Sequence, residues 1–190
     1  MKLHYKGKYN LDPNTLPYSP HKPNAVPFKE PKDSKTLGLI ANGLSFVILI
    51  PLGFLLYLRY GIDLFGVNTL WGFILLVICM FPHELLHALC FREDVYLYTN
   101  LKQGMLFVVG PENMSKSRFI FMSLLPNLVF GFIPYIISLI FPFFPALGVL
   151  GGFAISMGAG DYFNIFNALT QMPKKARTYL YKFNSFWYLP

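Results

Sequence analysis

Polar and apolar positions divide this chain into blocks rather than alternating throughout. Residues 1–35 are polar and basic, and Pro13, Pro17, Pro20, Pro23, Pro27 and Pro31 recur too closely for a helix to propagate, which predicts an extended tail with His4 and His21 solvated on it. Thr36 to Leu58 then runs 23 residues without a charge, long enough to cross a hydrocarbon core of about 30 Å. After a short polar connection at Arg59–Asp63, with Gly61 and Gly66 as breakers, a second apolar block covers about 70–91 and contains Pro82 near its end. Arg92 to Arg118 is of mixed polarity. Two strand-like stretches, around Val95–Tyr98 and Met105–Val109, flank a turn-prone Asn100–Gly104 segment and predict a hairpin. The hairpin is either a connector packed on the membrane face or, if it lies over a site, a free edge for an extended peptide. From Phe119 to Gly160 no charge occurs for 42 residues, twice the length one span needs, and Pro142 and Pro145 divide the run into spans at about 119–141 and 146–171.

Composition narrows the class. With 54% hydrophobic and 13% charged residues the chain is too apolar for a water-soluble globule. The expected fold is an all-α integral membrane protein with four transmembrane helices and a small cytoplasmic β-hairpin-like loop between helices 2 and 3. Its parts are a Pro-rich basic tail (1–35), a four-helix membrane domain (36–173) and a basic aromatic C-terminal segment (174–190). The net charge of +7 would suit a nucleic-acid partner in a soluble protein. Here every Lys and Arg except Arg59 falls in the tail, the 92–118 loop or the segment after Gln171. The positive-inside rule therefore places these segments, and both termini, in the cytoplasm. Membrane lipid becomes the expected partner of the charge, and nucleic acid is excluded.

An ionisable group inside a span costs about 3 kcal/mol or more unless it is paired, hydrated or bound to metal. The four spans hold His83, Glu84, His87 and Asp161. The first three form HExxH. Histidines four apart on a helix share one face and can aim at a single ion, ordinarily zinc, while the intervening glutamate can reach a water on that ion and take its proton. Glu84 is thus the candidate catalytic base, His83 and His87 are candidate metal ligands, and Asp161 is the candidate third ligand. A metal-free alternative is Asp161 hydrogen-bonded to its helix neighbours or locked to His87. Asn164, one turn after Asp161, could orient it or polarise a substrate carbonyl. Asn127 could donate to a developing oxyanion or satisfy a carbonyl that Pro126 leaves open. Counting along the helices puts HExxH about 10 Å from Arg92 and Asp161 about 20 Å from Lys174, so span four must tilt or project for the two to meet.

Three stretches carry a family resemblance: Phe81-Pro-His-Glu-Leu-Leu-His-Ala88, the run from Met114 to Pro126, and Gly160-Asp161. Together they resemble a family of small bacterial multi-pass membrane proteins described as zincin peptidases, over about 70–171, and more distantly the site-2-type intramembrane metalloproteases. The chain lacks the Leu-Asp-Gly segment of that larger group, so cleavage of a substrate helix within the membrane does not carry over. The resemblance implies a zinc metallopeptidase acting on a peptide or membrane-protein substrate. The same ligands would serve a metal-dependent hydrolase of another substrate, or a non-enzymatic cluster that ties helices together.

Overall fold

The computed structural model describes residues 1–31, 33–182 and 184–190, with Ser34 and Gln103 described in their backbone alone. Among the described residues, six α-helices and seven strands form two compact units. One unit contains Asp33–His83 and Leu124–Phe163; the other contains Met1–Lys32, Glu84–Ser123 and Asn164–Pro190.

The first unit is helical. Its α1 (Ser34–Tyr60) is started by Asp33, whose carboxylate accepts from the Thr36 N–H at 2.8 Å. It ends at Gly61, whose φ of 57° is a conformation that costs a side chain energy. Long apolar side chains face outward along α1 and α2 (Val67–Leu89): Phe46 is 65% and Val77 67% exposed. In water such faces would aggregate, whereas hydrocarbon accepts them. The inward faces carry small residues. Gly151 of α5 (Pro145–Met157) approaches Tyr135 and Gly131 so closely that a Cβ would lie 2.6 Å from the Tyr135 nitrogen, and Leu56, Tyr135, Val149 and Ile155 close the core around it.

Two sheets make up the other unit. In the first, β1 (Leu3–Lys8) runs parallel to β3 (Val95–Asn100), which pairs antiparallel with β4 (Met105–Val109). In the second, β2 (Val26–Pro27), β7 (Asn184–Tyr188), β6 (Arg177–Tyr181) and β5 (Met114–Ser115) are neighbours in that order. Asp94 holds β1 in place by accepting from the Lys2 N–H and contacting His4 Nε2, each at 3.0 Å. Tyr9, Leu16 and Tyr98 pack beside the first sheet, and Phe28, Met114, Phe119 and Met172 form a second cluster.

These sheets correct the all-α expectation. The 92–118 loop does carry a hairpin, but the hairpin is part of a three-stranded sheet completed by the N-terminal segment, and the C-terminal segment is itself a hairpin. Alternating Thr, Tyr, Leu, Phe and Trp from Thr178 to Tyr188 carries strand preference, and strand pairing satisfies main-chain groups that an isolated tail would leave to water.

The helix count also changes. Among the described residues, three helices are long and apolar enough to cross a membrane: Lys35–Leu64, Val67–Leu89 and Lys116–Ile140. The last joins α3 (Lys116–Pro126) to α4 (Ile133–Ile140) through a π-helical segment, Asn127–Phe132. The expected fourth span is instead a pair of helices, α5 and α6 (Ala159–Gln171), bent by 48° after Gly158.

Glu112 locks the loop between β4 and α3. It is 6% exposed, and its carboxylate accepts from the backbone N–H of Arg92 (2.6 Å) and Glu93 (3.1 Å) and from the Arg118 guanidinium. Burial alone would raise its pKa, but these three donors together hold it below the usual carboxylate range. The fold therefore favours the charged form, so the stabilisation is complete above the ordinary carboxylate pKa and is lost as pH falls through the lowered folded value. Glu112→Ala leaves three donors without an acceptor and should destabilise the protein by about 3 kcal/mol, read as a lowered unfolding midpoint in detergent at neutral pH, with the gap from wild type closing in acid.

Candidate metal centre

The HExxH turn lies near the C-terminal end of α2, just after Pro82. One turn of helix brings candidate ligand atoms of His83, Glu84 and His87 within 4.8 Å of one another. His87 is buried, and His83 and Glu84 are partly so. Each of the three is held by a different element.

His87 is fixed by a proline. Its Nδ1 lies 2.9 Å from the carbonyl oxygen of Met122 on α3. That carbonyl stands four residues before Pro126, and in a regular helix it would accept from the backbone N–H of residue 126, which proline lacks. A carbonyl only accepts, so Nδ1 carries the proton and Nε2 presents its lone pair, the tautomer a metal ligand needs.

His83 meets Asp161, with Nε2 3.7 Å from Oδ2. Asp161 lies in the first turn of α6, immediately after the 48° bend. Its carboxylate accepts from Asn127 Nδ2 at 2.8 Å, and the Tyr162 hydroxyl donates to Asn127 Oδ1 at 3.3 Å. Asn127 is fully buried in the π-helical segment that follows Pro126. It also needs Gly158, where a Cβ would stand 1.8 Å from its Oδ1.

Glu84 faces the first sheet. Its Oε2 accepts from the Val108 N–H of β4 at 3.1 Å. β4 is the last strand of that sheet, and among the described residues no strand pairs with its outer edge.

His83 and Asp161 are thus brought together, with Asn127 attached to the aspartate. Asn164 lines a cavity of about 180 Å³ with Phe91, Val108, Met122 and Tyr179. The carboxamide that orients Asp161 is Asn127's. The sequence reading missed Val108, Met122 and Tyr162. The first two act through main-chain groups, which no residue type announces; Met122 could have been found by counting four back from Pro126. Two imidazoles, that of His87 with a fixed tautomer, and a nearby carboxylate fit a divalent ion of the zinc type, whose ordinary ligands are nitrogen and carboxylate oxygen.

An HExxH helix with this donor set defines a metallopeptidase in general. A family model whose description reads "Putative zincin peptidase" matches residues 74–177, more than half of the chain, and the protein belongs to that family. No curated protein and no solved structure matches it.

Pro126→Ala restores an N–H that competes for the Met122 carbonyl and loosens His87. Zinc affinity should fall about 10- to 100-fold, as measured by competition with a chelating dye, with helix content unchanged by circular dichroism.

Proposed function

We propose that the protein is a membrane-embedded zinc metallopeptidase that hydrolyses a peptide bond near the cytoplasmic membrane face. The observation that carries this reading is the Val108–Glu84 hydrogen bond, which stations the HExxH glutamate against an unpaired strand edge. His83, His87 and Asp161 are the ligands in this reading. Bound zinc supplies Lewis-acid polarisation of a water and of the scissile carbonyl. Glu84 takes the water's proton and later returns it to the leaving amine. Asn127 holds the Asp161 carboxylate through one N–H of its amide, and in this reading it acts as a positioning residue.

Main-chain geometry supports a peptide as substrate. Side chains and main-chain groups alternate along a strand, and the Val108 N–H points away from β3, so the N–H and C=O of Leu106 point the same way. An extended segment of a membrane protein or peptide can add to that edge beside Glu84, through contacts that read backbone rather than sequence.

Glu84→Gln keeps an acceptor for Val108 and removes the base. The variant should retain stoichiometric zinc and lose about 10²- to 10⁴-fold in cleavage rate, whereas His83→Ala should lose the zinc. A comparison of new N-termini in membrane proteomes from cells expressing wild type or Glu84→Gln tests the activity. Identical termini in both would defeat the peptidase reading.

A further inference from the structure

Beside the loop locked by Glu112 lies an open cavity of about 670 Å³ whose charged lining is mostly arginine: Arg92, Arg118 and Arg177, with Ser115 and Ser117 between them. Of the two carboxylates that also line it, Glu112 is spent, since both its oxygens already accept from Arg92 and Glu93 main chain and from Arg118. Glu93 is exposed. Arg92 and Arg177 are exposed as well, and neither has a carboxylate partner among the described residues. Arg118 Nε is buried and makes no hydrogen bond. Guanidinium groups converging with hydroxyls on one volume match the tetrahedral oxygens of a phosphate group.

The position of the cavity says which phosphate. Arg92 follows the end of α2 at Leu89, and Arg118 sits in the first turn of the apolar helix Lys116–Ile140. One turn further along that helix, Phe121 lines the same cavity and is 53% exposed. The lining is therefore basic at the level where two apolar helices end and apolar on the side that continues along one of them. A free anion would use the first feature alone, whereas a phospholipid uses both, with phosphate among the arginines and an acyl chain along Phe121.

We propose that this cavity is a binding site for the phosphate of an anionic phospholipid. The proposal rests on reading α2 and Lys116–Ile140 as membrane spans, not on the peptidase activity. Phosphate binding here would hold the Arg92–Arg118 loop, and with it the hairpin whose Val108 touches Glu84, against the membrane surface.

Short-chain lipids below their micellar concentration provide the probe. Dihexanoyl phosphatidylglycerol, dihexanoyl phosphatidylcholine and inorganic phosphate are each titrated by calorimetry into the purified full-length protein, its R92Q/R177Q variant and a K174Q/K175Q variant that loses equal charge outside the cavity. Wild type should bind phosphatidylglycerol at least tenfold more tightly than either other ligand, R92Q/R177Q should lose at least tenfold, and K174Q/K175Q should stay within twofold of wild type. Equal binding of the two lipids, or equal loss in both variants, overturns the site, and inorganic phosphate binding as tightly as phosphatidylglycerol overturns the lipid. Alkaline carbonate extraction of the same membranes separates the premise from the proposal. Protein released by carbonate refutes the spans and the lipid site with them, while protein retained leaves the titration to decide.

Discussion

The missing N–H of Pro126 is the constraint on which the metal centre turns. A carbonyl shut away from water without a partner is unfavourable by about 1–3 kcal/mol, and the part-buried Met122 carbonyl of α3 loses its helical donor because proline stands four residues later. His87 meets that need from α2 and is oriented in doing so. The same proline opens the π-helical segment in which Asn127 is buried. One residue therefore governs both a histidine of HExxH and the carboxamide that holds Asp161.

The polar groups around Asp161 form a chain. Tyr162 donates to Asn127, Asn127 donates to Asp161, and Asp161 stands by His83. In an apolar surrounding each of these groups would be unfavourable alone, and together they satisfy one another. Gly158 makes room for this arrangement and also ends α5. The break that divides the expected fourth span is thus the same feature that lets Asn127 reach the aspartate.

The sequence was most legible where the signal is local. Charge-free runs located the apolar helices to within a few residues, strand-like stretches on either side of a turn-prone segment marked the β3–β4 hairpin, and HExxH announced itself by residue type. The sheets were not legible, because β1 pairs with β3 across roughly ninety residues and β2 pairs with β7 across more; nothing within either strand names its partner. The prolines of the tail left room for one 3-10 turn, Pro13–Thr15, and said nothing against short strands. At the site, main-chain contacts from Val108 and Met122 were invisible to a search by side-chain type. The bend after Gly158 was hidden for a different reason: glycine among small residues reads equally well as close packing or as a break.

The sheets also carry a rule of parity. Strands of one sheet lie on one side of a bilayer. β1 and β3 are neighbours, and α1 and α2 lie between them in the chain, so in a membrane that pair must go out and return. β5 and β6 are neighbours too, and between them lie Lys116–Ile140 and the bent α5–α6 pair. If Lys116–Ile140 crosses once, the bent pair must bring the chain back and so counts as one crossing despite its 48° angle. If the apolar helices span a membrane, the hydrogen-bonded ladders call for an even number of crossings on each side of the 92–115 loop, an argument that uses no lysine or arginine.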